Sequence, residues 1–97
     1  MTEQLIIFDT EYASWQGFLT APEAEKKKAE IVQIAAIKVN LSDLSVADKL
    51  NLYIKPHFTP RLTEYFINLT GITDALLEQE GLPFPEAYRR FKQFAGS

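Results

Sequence analysis

The sequence predicts an α/β protein in which a three-stranded antiparallel or mixed sheet is followed by helices. Three runs rich in apolar and β-branched residues occupy the first half of the chain, which is typical of strands. After Pro60, apolar residues recur at the spacing of helices that pack on a sheet. With 97 residues, of which 46% are hydrophobic, residues 1–97 can form a single domain with one modest core.

The predicted strands lie near residues 5–10, 31–40 and 46–55. The first contains the run Leu-Ile-Ile-Phe, which lacks alternation and therefore predicts a central strand covered on both faces. The second and third are separated by the turn-forming sequence NLSDLS, so we expect an antiparallel hairpin whose second strand is more exposed. Pro56 ends the third strand, because proline cannot donate to a strand ladder.

Residues 16–29 connect the first two strands and read as a charged loop, with sequence suited to one helical turn after Thr20. This loop contains Lys26, Lys27 and Lys28. A run of lysines is most often a solvated surface feature, and contact with a phosphate is the alternative interpretation.

The predicted helices lie near residues 61–69, 73–79 and 85–95. Gly71 supplies the permissive backbone that ends the first helix, Thr73 can cap the second, and Gly81 ends it. The third is amphipathic, with Phe84, Ala87, Tyr88, Phe91 and Phe94 between charged residues. Such a helix needs a sheet to lie on.

The charge balance of 10 Lys and Arg against 13 Asp and Glu gives a net charge of −3, which disfavours a simple electrostatic nucleic-acid binder. An enzyme that uses bound divalent cations remains compatible, because the cations bring positive charge to the phosphate. Cysteine is absent, and the N-terminus resembles neither a signal peptide nor a membrane span. We therefore expect a cytoplasmic protein without a membrane partner.

Asp9 and Glu11 stand at the carboxyl end of the first predicted strand. Side chains in a strand alternate between its faces, so these two carboxylates project to the same side. Paired carboxylates suit Mg²⁺ or Mn²⁺, hard cations that retain waters for a phosphate to displace. Acids at strand ends are also common as solvated turn residues, so the Asp-x-Glu triplet by itself leaves both interpretations open.

Three segments in order, IIFDTEYASW, EIVQIAAIKVN and YIKPHFTPRLTEYFINLTGIT, resemble the N-terminal half of the DnaQ-like (DEDD) 3′-5′ exonucleases. The tryptophan after the two acids and the LTGIT segment are most similar to the RNase T and Eri-1-like exoribonuclease branch. The resemblance covers essentially the whole chain. It implies a truncated RNase H-like fold, the N-terminal portion of an exonuclease domain.

The resemblance also implies roles for individual residues. Asp9 and Glu11 match the motif that supplies catalytic ligands to two Mg²⁺ or Mn²⁺ ions, which in such sites lie about 3.5–4 Å apart. The substrate would be the 3′ end of single-stranded RNA or DNA. The positions that match its binding site are Thr10, Tyr12 and Ala13 on the first strand, and Leu69, Thr70, Gly71 and Ile72 in the LTGI turn. A helix cap with a core leucine is the other interpretation of that turn.

The family requires two further acids and usually a histidine general base, all from motifs later than this sequence reaches. His57 matches no catalytic position, and we expect it to be an exposed loop residue. Glu30 is expected to be a charged residue where the second strand begins. Asp74 is expected to be an acid at a helix N-terminus, where the helix dipole favours it. The 97-residue chain alone is therefore predicted to be incomplete and inactive.

A truncated sheet would leave the first strand with an unpaired apolar edge, which favours association. We therefore expect a shortened form of a longer protein, self-association, or a partner chain that completes the sheet. The alternative function is a degenerate exonuclease fold that acts as a non-catalytic protein-interaction module.

Overall fold

A computed structural model describes residues 3–96 and confirms the predicted α/β architecture. The strands are β1 (Gln4–Tyr12), β2 (Ile31–Asn40) and β3 (Val46–Tyr53). The helices are α1 (Glu23–Lys26), α2 (Glu64–Thr70), α3 (Asp74–Glu80) and α4 (Phe84–Ala95), and a 3₁₀ turn covers Phe18–Thr20. The single helical turn expected after Thr20 is α1. The third strand ends two residues before the predicted limit and continues as a parallel bridge from Ile54 to Leu82.

The three strands form one antiparallel sheet in the order β1-β2-β3. The predicted hairpin of β2 and β3 is confirmed, and the first half of β3 is exposed as expected. Within residues 3–96, β1 pairs only with β2 and is therefore an edge strand. One edge of its backbone has no strand partner among these residues, as the sequence predicted for a truncated sheet.

The exposure of β1 differs from the expectation of a strand covered on both faces. Leu5, Ile7 and Phe8 are exposed to 48%, 50% and 57%. The physical reason is twofold: Leu5 and Ile7 lie on the face that α4 does not cover, and α4 packs mainly over β3 and not over β1. Phe8 therefore meets only the Phe91 ring, edge to face with centroids 5.1 Å apart. Among the described residues, nothing of comparable size covers the face that carries Asp9.

Helix α3 begins and α2 ends where the sequence indicates, whereas α2 begins at Glu64, three residues after the predicted start near residue 61, because Thr63 caps it. The hydroxyls of Thr63 and Thr73 accept hydrogen bonds from the Phe66 and Leu76 amides, respectively, both at 3.1 Å. Gly71 ends α2 in the left-handed conformation, with φ of 79°. These caps satisfy amides that helix ends otherwise leave unpaired.

Most buried side chains between residues 3 and 96 belong to two clusters. The α4 cluster lies between the sheet and α4 and contains Ile34, Leu52, Ile54 and Ala87. The α2–α3 cluster joins the end of β1 to the helical pair, and its members are Ala13, Val32, Leu62, Phe66, Ile72 and Leu77. This second cluster fixes the position of the LTGI turn relative to β1.

The longest helix between residues 3 and 96 is α4, whose 12 residues span about 18 Å. No helix in this part of the chain is both long and apolar enough to cross a lipid bilayer.

Candidate active site

Asp9 and Glu11 lie on one face of β1, as their spacing predicts. Asp9 stands opposite Ala35 of β2, and Glu11 stands opposite Gln33. The Asp9 side chain is exposed, and its Oδ1 accepts a hydrogen bond of 2.9 Å from the Thr10 amide. Glu11 is half-buried and immediately precedes a register irregularity between Glu11 and Tyr12. The two carboxylates therefore reach the same side of the sheet where the strand ends.

The face that carries Asp9 forms a shallow depression of about 550 Å³ across all three strands. The residue at the centre of this depression has a small side chain: Ala35 of β2 lies between Asp9 of β1 and Asn51 of β3. The Gln33 side-chain amide donates a 2.8 Å hydrogen bond to Asn51 Oδ1, so a polar pair lies beside the two acids. This surface can admit a polar group next to Asp9.

The donor set at this position is suited to a hard divalent cation but does not complete its coordination. Neither Asp9 nor Glu11 forms a salt bridge with another described residue, so their charge is not neutralised within this part of the chain. Residues 3–96 contain no group of three or more His, Asp or Glu side chains that could hold a metal ion. Two carboxylates would leave most ligand positions of Mg²⁺ or Mn²⁺ to water or to other groups.

The other predicted residues of β1 surround the acids in different ways. Thr10 points to the opposite face of the strand from Asp9, so only its backbone adjoins the acids. Tyr12 is exposed, whereas Ala13 is buried and donates its amide to the Glu30 carbonyl at 2.8 Å. The structure thus places Ala13 in the core and leaves Tyr12 accessible.

The LTGI turn combines a structural role with an exposed apolar side chain. Thr70 Oγ1 donates to the Phe66 carbonyl at 2.9 Å and accepts from the Ile72 amide at 3.1 Å. Ile72 is buried in the same cluster as Ala13, while Leu69 is 65% exposed. The helix-cap interpretation is correct for Thr70 and Gly71, and Ile72 rather than Leu69 is the core residue.

Leu69 lines a cleft of about 290 Å³ between α2 and the loop that follows β1. The loop contributes Ser14 and Leu19, and α2 contributes Tyr65. Thr63 Oγ1 donates a 2.7 Å hydrogen bond to the Ser14 carbonyl and so ties the two walls together. Sequence reasoning missed Ser14, Thr63 and Tyr65. Of the three, only Thr63 carries a local sequence signal, because a threonine just before a helix is a typical N-cap.

Glu30 stabilises a loop and is not directed toward the acids. Its carboxylate accepts hydrogen bonds from the amides of His57, Phe58 and Thr59 at 2.6, 2.9 and 2.6 Å, and from the Thr59 hydroxyl at 2.7 Å. Partial burial raises the pKa of Glu30, but these hydrogen bonds lower it by more, so the net pKa lies below its ordinary value. The expectation of a charged strand entry is met, with a structural role added.

The remaining polar residues occupy the positions predicted for them. His57 is exposed in the loop after β3, and Asp74 is the first residue of α3, where its Oδ1 accepts from the Leu62 amide at 2.9 Å. Lys27 and Lys28 are exposed, and Lys26 Nζ lies 3.7 Å from Glu23 Oε1. This arrangement agrees with a solvated charge run.

The fold and the position of the paired acids agree with the exonuclease class that the sequence predicts. The sequence profile of the RNase T exonuclease family matches residues 6–97. The chain therefore belongs to the DnaQ-like 3′-5′ exonuclease family. Similar curated proteins include the 3′-5′ exonuclease Snipper of Drosophila melanogaster, 32% identical over 93% of this chain and 31% of that protein. ERI1 exoribonuclease 2 of Xenopus laevis is 25% identical over 95% of this chain and 12% of that protein.

Solved structures share the fold. The nuclease domain of 3′hExo, a DEDDh family member, superimposes with a TM-score of 0.82 at 22% identity, over 96% of this chain and 44% of that one. Cell-death related nuclease 4 gives a TM-score of 0.78 at 22% identity, over 95% of this chain and 29% of that one. The RNase H-like prediction is confirmed, and the chain spans less than half the length of each of these relatives.

Proposed function

We propose that this chain is the N-terminal portion of an exonuclease domain that removes nucleotides from the 3′ end of single-stranded RNA or DNA. The observation that carries the proposal is the position of Asp9 and Glu11, side by side on an open sheet face and close in sequence to the loop lining the Leu69 cleft. Similar proteins support a nucleic-acid substrate, since one solved structure contains rAMP and another concerns recognition of the 3′ end of a histone mRNA stem-loop.

Asp9 and Glu11 would hold part of the divalent metal site, and further acids outside the set described here would complete it. When bound, Mg²⁺ or Mn²⁺ supplies polarisation of the scissile phosphate and activation of water. The contribution of this chain is rigid placement: both carboxylates sit on one paired strand, and the Thr10 amide donates to Asp9 Oδ1 and so orients the carboxylate. The general base is not assigned to any residue of this chain.

The terminal nucleotide would lie between the end of β1 and the LTGI turn. Leu69 and Tyr65 offer exposed apolar surface for a base, and Tyr12 is accessible near the acids. Four predicted residues have side chains that are partly or fully buried, so their backbone rather than their side chains would contact the nucleotide. They are Thr10, Ala13, Thr70 and Ile72. Base stacking on such surfaces tolerates different sequences.

The test is hydrolysis of a 5′-labelled single-stranded oligonucleotide by the full-length protein that carries this chain, in Mn²⁺ and in EDTA. We expect metal-dependent shortening from the 3′ end, lost in Asp9→Asn and in Glu11→Gln. Asp43→Asn is the matched control, because Asp43 is an exposed acid that bonds only the Ser45 amide and hydroxyl within its own turn. Undiminished activity in Asp9→Asn would rule out the proposed site.

The alternative is a non-catalytic interaction module. It is favoured by the free edge of β1 and by the absence of further acids beside Asp9 and Glu11 among residues 3–96. Metal-independent capture of a partner, with no hydrolysis by the full-length protein, would support this alternative. The hydrolysis assay with the full-length protein therefore distinguishes the two functions.

A further inference from the structure

The outer face of α4 carries a ladder of exposed side chains that the candidate active site does not use. Phe84 and Tyr88 are 48% and 51% exposed, and their rings stack nearly parallel, 12° apart with centroids separated by 6.2 Å. Lys92 Nζ lies 5.5 Å from the Tyr88 ring centroid. The three residues are four apart, so they form one line about 12 Å long on the helix.

Helix α4 carries net positive charge in a chain that is acidic overall. Helix α4 carries Arg89, Arg90 and Lys92 against Glu86, a net charge of +2, while the whole chain has a net charge of −3. Arg89 and Arg90 share the single Glu86 carboxylate. Lys92 forms no salt bridge with any residue between 3 and 96. Of these cations, Arg89 and Lys92 adjoin Tyr88, whereas Arg90 lies on another side of the helix.

The packing of α4 does not require these rings. Its buried side is formed by Ala87, which is fully buried, and by Phe91, which packs on the sheet. A stacked pair four residues apart adds little to the stability of a helix. Exposed rings interleaved with cations are instead typical of surfaces that bind single-stranded nucleic acid, on which bases stack while lysine and arginine contact phosphates.

The ladder begins near the end of the sheet where the two acids lie. Phe84 lines a hollow of about 530 Å³ together with Lys55, His57 and Glu30. The Glu30 carbonyl accepts the amide of Ala13, two residues beyond Glu11. Because α4 packs on the face of the sheet opposite to Asp9, a strand bound at the two acids would reach the ladder only by passing round the end of the sheet at this hollow.

We propose that the α4 ladder, formed by Phe84, Tyr88 and Lys92, is a second contact surface for the single-stranded nucleic-acid substrate, separate from the site at Asp9 and Glu11. Single-stranded nucleic acid is the proposed ligand because Arg89 and Lys92 can contact its phosphates and the flat rings of Phe84 and Tyr88 can stack with its bases. The proposal rests on the proposed function for the identity of the strand, but binding at α4 needs neither metal nor catalysis. It can therefore be measured independently.

The experiment is fluorescence anisotropy of a labelled single-stranded oligonucleotide with the full-length protein in EDTA. Stacking of one base on an aromatic side chain predicts that Tyr88→Ala weakens binding about five- to a hundredfold. Tyr88→Phe is the matched control and should bind like wild type, because it keeps the ring. For Lys92→Gln, the slope of log binding constant against log salt concentration should become shallower by about 0.7, because one phosphate contact is lost. Lys92→Arg keeps the charge and should restore the wild-type slope.

The outcomes separate this proposal from the proposed function. Asp9→Asn should abolish hydrolysis without weakening metal-free binding, because in EDTA it only removes a negative charge that repels phosphate. If the wild-type protein is an active nuclease but the Tyr88→Ala and Lys92→Gln variants bind the oligonucleotide as tightly as wild type, the α4 proposal is wrong and the nuclease assignment stands. Protein that never hydrolyses but loses binding in both α4 variants would support the surface and reject the nuclease. Absence of metal-free binding by wild type, as expected if α4 contacts another protein, would also overturn the proposal.

Discussion

Glu30 and Thr59 are joined by two hydrogen bonds, from the Thr59 amide at 2.6 Å and from its hydroxyl at 2.7 Å, both to Glu30 Oε1. The same carboxylate also accepts the amides of His57 and Phe58. Because the Glu30 carbonyl accepts the Ala13 amide, this one residue fastens the loop after β3 to the end of β1.

Replacing Glu30 with Gln should destabilise the protein by about 1–2 kcal/mol, since the variant loses the charge that strengthens these hydrogen bonds and one acceptor oxygen. Urea unfolding of both proteins at neutral pH measures the difference. Glu3→Gln is the control, because the Glu3 side chain is exposed and should contribute little. Equal stability of wild type and Glu30→Gln would contradict this role.

The same contact predicts a pH dependence. The pKa of Glu30 in the folded protein lies below its ordinary value of 4.5, so its contribution to stability is present above that pH. The contribution should be lost as the pH falls through the folded-state pKa. We therefore expect the stability gap between wild type and Glu30→Gln to narrow below pH 4.5, measured by unfolding across that range. A gap that widens on acidification would disprove the assignment.

Thr63 joins the loop after β1 to α2 while capping that helix. Thr63→Ala removes both the cap and the hydrogen bond to the Ser14 carbonyl, with an expected loss of about 1–2 kcal/mol. Hydrogen exchange should accelerate across the loop of residues 14–20, most of which line the Leu69 cleft. Thr73→Ala is the matched control, because Thr73 caps α3 without a comparable bond to that loop. Thr63→Ser should retain both contacts.

Gly81 is needed for close packing, and Gly71 for its backbone conformation. A Cβ on Gly81 would collide with the Leu77 carbonyl and lie 2.9 Å from the Lys55 amide, whereas a Cβ on Gly71 would meet nothing within 4 Å. Gly71→Ala should cost about 1–2 kcal/mol through its positive φ. Gly81→Ala should cost more, about 2–3 kcal/mol, because backbone atoms must move. Thermal unfolding of the two variants tests this order.

The exposed edge of β1 predicts concentration-dependent association of the 97-residue chain. Introducing a lysine at Ile7, which is 50% exposed on the open face, should shift the chain toward monomer in sedimentation velocity. Leu44→Lys is the control, because Leu44 is more exposed at 72% but lies in the turn between β2 and β3. Association that responds equally to both substitutions would argue against the β1 edge.

Much of the fold follows from local sequence, because its determinants are short in range. The three strands follow from apolar and β-branched runs, and the ends of α2 and α3 follow from Thr73 and Gly71. The shared side of Asp9 and Glu11 requires only the alternation of a strand. These features do not depend on which segments meet in the folded protein.

Contacts between distant segments could not be predicted in this way. Glu30 reaches a loop 27 to 29 residues away, and Thr63 reaches Ser14 across 49 positions. Both depend on how the sheet and the helical pair are packed. The exposure of β1 was likewise missed, because an apolar run indicates that a strand can be covered but does not identify which residues cover it.

Ala13 and Ile72 belong to the same buried cluster, although one follows the acidic motif and the other ends the LTGI turn. Since a close-packed interior transmits displacement, the volume of residue 13 sets the gap between the strand and the turn. If the terminal nucleotide lies between them as proposed, selectivity for its size could evolve, or be engineered, by substitutions in the hydrophobic interior that never touch the ligand.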